Sequence, residues 1–86
     1  MFRVEWFQSA LDQLTVLWLQ ADQALRQAIT QATHRIDQLL QSDPHNAGES
    51  RPGGRRILFE SPLGILFRVD ANNVTVLRVW QFRRTP

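Results

Sequence analysis

The sequence predicts an α+β domain of order β-α-α-β-β-β, with a helical hairpin packed on one face of a small antiparallel sheet. Three observations carry that expectation. Residues 2–6 alternate apolar with polar, the apolar residues from Leu11 to Leu39 recur at steps of three and four, and the chain after residue 55 breaks into three short apolar runs. A polar stretch rich in proline and glycine separates the helical part from the last three strands.

FRVEWF sends Phe2, Val4 and Trp6 to one face and Arg3 and Glu5 to the other, which is a short strand. Ser9 then offers an N-cap, and Asp12 places negative charge near the helix start. The apolar stripe runs Leu11, Leu14, Trp18, Ala21, Leu25, Ala28, Ala32, Ile36 and Leu39, with no glycine or proline before Pro44. Read as one helix it is a rod about 50 Å long. A chain of this size has a radius of gyration of roughly 12 Å, so the rod must break. Ala21-Asp22 is the expected break, because Asp22 can cap a second helix. The helices are then residues 9–20 and 23–41.

The segment SDPHNAGESRPGG, residues 42–54, reads as loop. RRILFE, residues 55–60, reads as a strand, SPLG as a turn and ILFRV, residues 65–69, as a further strand. DANN is a turn whose asparagines tolerate positive φ, and VTVLRVWQF, residues 74–82, is the last strand.

Register decides where the arginines point. Ile65, Phe67 and Val69 form one apolar face, and Thr75, Leu77 and Val79 the matching face of the last strand. A loop of odd length pairs these faces and leaves Arg68, Arg78 and Trp80 together on the far side. A loop of even length drives Arg78 into the core, where an unpaired charge costs several kcal/mol. The odd loop is the expectation.

Eighty-six residues make one domain, residues 1–86. A chain this short buries only about 60–65% of its unfolded surface, so its stability is thin or shared with a partner. No apolar run reaches the roughly 18–20 residues that span a bilayer, and the N-terminus does not resemble a signal peptide. Cysteine is absent, which excludes disulfides and thiolate metal sites and fits a reducing cytoplasm. A cytoplasmic protein with no membrane association is therefore expected.

The net charge is only +2, but its distribution is lopsided. Residues 1–50 hold three arginines against six acids, giving −3; residues 51–86 hold seven arginines against Glu60 and Asp70, giving +5. Every basic residue is arginine, whose planar fork grips phosphate or carboxylate. Arg51, Arg55, Arg56, Arg68, Arg78, Arg83 and Arg84, interleaved with Trp80 and Phe82, form the main candidate site. It suits single-stranded nucleic acid, by phosphate contact and stacking, or an acidic disordered partner. A solvated sheet face whose arginine stems cover Trp80 is the bland alternative.

Other constellations are weaker. His34 and His45 lack the spacing of metal ligands, and no metal or other cofactor is expected. GESRPGG has neither the lysine of a phosphate loop nor dinucleotide-binding spacing. Glu60 is the one acid within the basic strands before the turn at Asp70. It is available as a general base, although pairing with Arg55 or Arg56 is the plainer expectation.

VEW followed by SALDQL, IDQLL, GGRR-I-L-F, ILFRVD and VTVLRVWQFRR resembles the RelE/ParE superfamily of type II toxin–antitoxin toxins, from Val4 to Arg84. The resemblance implies a compact toxin held inactive by a cognate antitoxin that wraps it. It also implies one of two targets: mRNA cut on the ribosome by RelE-like members, or DNA gyrase inhibited by ParE-like members. The RNA-cutting members often carry an arginine just ahead of the third strand's apolar run, where this chain has Gly64, with Arg68 four residues on. They also place a histidine or tyrosine near the C-terminus, where this chain has Phe82, Arg83 and Arg84 and no tyrosine anywhere. VWQFRR is closer to the ParE-like ending. For the RelE-like branch the expected catalytic set is Arg68, Arg78 and Glu60, with Arg51, Arg55, Arg56, Trp80, Arg83 and Arg84 binding the target. A binding module without catalysis, or a toxin that has lost activity, remains the alternative.

Overall fold

The computed structural model describes residues 1–82. Strand β1 (Arg3–Trp6) leads into helices α1 (Gln8–Gln20) and α2 (Gln23–Ser42). Then follow β2 (Glu49–Arg51), β3 (Arg55–Glu60), β4 (Leu63–Asp70) and β5 (Asn73–Gln81). The five strands form one sheet of order β1-β5-β4-β3-β2, and both helices pack on a single face of it.

The break between the helices falls where a cap was available. Asp22 is the N-cap of α2 and its carboxylate accepts the Leu25 N–H at 2.8 Å. The folded hairpin keeps the longest dimension to 37 Å. The start of α1 differs from expectation: Phe7 is the N-cap, without a side-chain bond, and Ser9 lies inside the helix. The Phe7 N–H is still occupied as a rung to the Val76 carbonyl, so the chain turns helical immediately after its last sheet bond.

The helix faces are also rotated from the expected stripe. Ala10, Ala21, Ile29, Ala32, Ile36 and Leu40 are buried, whereas Leu11 and Trp18 stay 41% and 39% exposed. In α1 a stripe through Ala10, Leu14, Leu17 and Ala21 has the same helical spacing, and it is the one turned to the sheet. β1 behaves as its alternation implies, with Trp6 donating from Nε1 to Asp37 Oδ1 of α2 at 3.1 Å.

Two features of the sheet were not expected. β1 runs parallel to β5, so the sheet is mixed rather than antiparallel, and the segment 42–54 contains the short strand β2. All three residues of β2 are exposed, so it has no apolar periodicity to reveal it.

The hairpin from β4 to β5 resolves the register question differently. Its loop is two residues long, since Asp70 pairs with Asn73, and the residue with positive φ is Ala71 (53°) rather than an asparagine. A bulge between Leu66 and Phe67 then shifts the ladder: Phe67 pairs with Val76, but Leu66 pairs with Arg78. Leu77 is the extra residue. Val74, Val76 and Val79 consequently face the core in place of Thr75, Leu77 and Val79, and Arg78 still points outward. Past β1, the Val79 N–H is satisfied by Gln13 Oε1 of α1 at 2.9 Å. No helix among the described residues is long and apolar enough to cross a membrane.

Candidate functional site on the outer sheet face

Strand alternation sorts the side chains into two sets. Leu58, Leu63, Ile65, Phe67, Val74, Val76 and Val79 face the helices and are buried. Their neighbours in the ladder face the other way: Arg55, Ile57 and Phe59 from β3, Gly64, Leu66 and Arg68 from β4, and Thr75, Arg78 and Trp80 from β5. The helices leave this outer face uncovered. Its cations lie toward one end and its aromatic rings at the other.

Arg55 and Arg68 are direct partners across β3 and β4, and Arg51 is the partner of Arg55 on β2. Three arginines thus share one row of the ladder, with Arg78 one row further along opposite Leu66. Arg51 is engaged, its Nη2 lying 3.2 Å from Glu49 Oε2. Among the described residues no acid lies within 4.0 Å of Arg55, Arg68 or Arg78. Like charges facing one another across a ladder repel. By register Glu5, Glu49 and Asp70 share this face, but none lies within 4.0 Å of Arg55, Arg68 or Arg78, so these three cations are available to an anionic partner.

At the aromatic end the Trp80 and Phe59 rings meet edge to face, 6.1 Å apart at 82°, and Phe82 meets Phe59 at 5.0 Å. Phe59 is 55% exposed. The pattern RRILFE marks it in advance, because Arg55, Ile57 and Phe59 share a face and Phe59 is its exposed apolar end. Sequence reading did not single it out, and noted Gly64 only for the arginine missing there, not as the partner of Trp80 in the ladder.

Arg68, Arg78 and Trp80 are brought to one face, with Arg55 and Arg51 beside them. Glu60 and Arg56 are not. Both are in phase with Leu58 and sit on the helix side of β3. Glu60 accepts from Arg35 Nε of α2 at 2.7 Å, not from Arg55 or Arg56, and is parted by the sheet from Arg68 and Arg78. Arg56 donates to the carbonyls of Ala47 (2.8 Å) and Gly48 (3.1 Å), which ties the segment before β2 to the sheet instead of facing a target. Arg83 and Arg84 lie outside the described residues.

Neither histidine reaches the outer face. His34 lines a groove of ≈ 460 Å³ between α1 and α2 with Leu14, Trp18 and Ile29, and His45 packs edge-on against Phe2 at 5.6 Å. The outer face can bind and stabilise negative charge. It does not bring the base named from the sequence to its arginines.

No protein-family model and no curated protein matches the sequence. Solved structures do. A chain of the chromosomal ParDE TA system from P. aeruginosa superposes with a TM-score of 0.76 at 21% identity, covering 96% of this chain and 98% of that one. A chain of the toxin-antitoxin complex RelBE2 from Mycobacterium tuberculosis gives 0.73 at 17% identity, covering 94% and 91%. The isolated E. coli RelE toxin gives 0.64 at 17% identity, covering 99% and 88%. The chain has the RelE/ParE toxin fold. At these identities the likeness is one of backbone, and nearly the whole length of each chain takes part in it. At the start of β4, the space a side chain of Gly64 would take is filled by the Trp80 indole of β5.

Proposed function

We propose that this chain is the toxin of a type II toxin–antitoxin system, that its outer sheet face engages the target, and that a cognate antitoxin neutralises it. The fold likeness supports the class, since the similar structures include a toxin and a toxin-antitoxin complex. The observation that carries the site is the row of Arg55 and Arg68 with Arg78 nearby, unpaired with any acid among the described residues and beside exposed aromatic rings. Cations fixed on a rigid sheet steer an anionic partner and set its register.

Action by binding, as in gyrase inhibition, is favoured over RNA cutting. Cleavage of RNA through its own 2′-hydroxyl needs a base, an acid for the leaving oxygen and stabilisation of the phosphate. Arg68 and Arg78 offer the last. Glu60, the expected base, is engaged with Arg35 on the opposite side of the sheet. The test is controlled expression in cells with protein synthesis, DNA replication and mRNA integrity read separately. The expected result is growth arrest with failing replication and intact mRNA, relieved by the product of an adjacent gene. Messages cut on translating ribosomes overturn the binding mode, and a harmless protein overturns the toxin reading.

A further inference from the structure

Gly64 opens the outward face of β4 beneath an indole. A Cβ at this position would lie 2.6 Å from Trp80 Cε2, 2.7 Å from Nε1 and 2.8 Å from Cζ2. Three nearly equal distances mean that the indole lies over the glycine, in the space any side chain would fill. The positive-φ glycines are Gly48, Gly53 and Gly54, so the Gly64 backbone makes no demand for glycine. A glycine inside a strand weakens it, and often marks a place where another group must approach closely. Here that group is Trp80. Phe59, the partner of Gly64 on the other side, stands at 82° to the indole, so the two rings make a floor and an upright wall.

We infer that Gly64 is a positioning residue that seats Trp80 as a flat ledge, and that this ledge receives an aromatic side chain of an acidic polypeptide. The inference rests on the reading of the outer face as the target and antitoxin surface. Charge complementarity gives the occupant its sign: among the described residues Arg55, Arg68 and Arg78 have no acid within 4.0 Å. The single ledge gives its class. Single-stranded nucleic acid is held by successive platforms on which successive bases stack, with cations tracking the backbone. Among the described residues the rings of the outer face are grouped at one end, Trp80 over Gly64 with Phe59 and Phe82 beside it, and are not spaced along the cations, which lie toward the other end. One anchoring ring with carboxylates to one side of it matches that layout.

The experiment uses the full chain and three probes: poly-glutamate, a random glutamate–tyrosine copolymer and oligo(dT). The parent should prefer the copolymer over poly-glutamate by about three- to tenfold, the worth of one aromatic pair. Trp80→Leu and Gly64→Ala should each lose that preference while keeping affinity for poly-glutamate. The double variant should lose nothing more and should melt like Trp80→Leu, because the clash has gone. With 5-fluorotryptophan incorporated, Gly64→Ala should move the Trp80 fluorine resonance and leave those of Trp6 and Trp18 in place. An undiminished preference in Trp80→Leu overturns the ledge, even where Gly64→Ala fails to fold. Undiminished preference in a folded Gly64→Ala overturns the positioning role. A Trp80-dependent preference for oligo(dT) overturns the polypeptide occupant. Harmlessness in cells overturns the toxin reading alone and leaves these binding results to stand or fall separately.

Discussion

Leu66 and Arg78 pair across β4 and β5, while the next residue of β4, Phe67, pairs with Val76, so Leu77 has no partner in the ladder. That one extra residue reconciles two demands. The two-residue turn after Asp70 sends Val74 and Val76 into the core, and without a shift it would send Arg78 there too. The bulge reverses the phase, so Val79 is buried and Arg78 is exposed.

Deleting Leu77 should therefore keep the fold. Val76 remains opposite Phe67 and Arg78 opposite Leu66, and the loss is the packing of one half-buried side chain, about 1–3 kcal/mol. Thermal melting checks this. A single cooperative transition at lower temperature is expected, and loss of the transition would mean that the bulge itself organises the sheet.

Gly48 and Gly54 both have positive φ, +66° and +72°, but their surroundings differ. A Cβ on Gly48 would lie 2.0 Å from the Ile57 carbonyl oxygen, whereas one on Gly54 would meet nothing within 4 Å. Gly54→Ala should cost about 1 kcal/mol from backbone strain alone. Gly48→Ala should cost more than about 2 kcal/mol, because the segment held by Arg56 must move off β3. Urea midpoints of the two variants decide it, and equal costs would contradict the close approach.

The pair Arg35–Glu60 is partly exposed, with side-chain accessibilities of 47% and 30%, so Glu60→Gln should cost under about 1 kcal/mol. If action is by binding on the other face, growth inhibition should survive this change. Inhibition abolished at unchanged melting temperature would return Glu60 to a catalytic role.

Much of this was legible in residue order. The break at Asp22 could be placed because a long amphipathic rod does not fit so small a globule and only one residue there can cap. The outward placement of Arg68, Arg78 and Trp80 followed from the cost of burying charge, although the device that achieves it did not. A bulge leaves no mark in a run such as VTVLRVW, where valine and leucine fit either face. The parallel pairing of β1 was hidden because it depends on a partner 70 residues away, Arg3 against Asn73. Glu60 was misplaced for a related reason. Its phase on β3 was readable from RRILFE, but its partner Arg35 comes from α2, whose buried stripe of Ile29, Ala32, Ile36 and Leu40 is rotated from the expected one.

The central claim is that the outer-face arginines serve a partner and not the fold, and Arg68 tests it most directly. It faces Arg55 across the ladder with no acid within 4.0 Å among the described residues. Replacing it with threonine removes a like-charge contact, worth about 0.2–1 kcal/mol, and supplies a good strand former. The measurement is melting temperature and growth inhibition of Arg68→Thr beside the parent chain. The account predicts a melting temperature equal to or above the parent's, with growth inhibition lost or strongly reduced. A variant that melts lower, or one that inhibits growth as well as the parent, would contradict it.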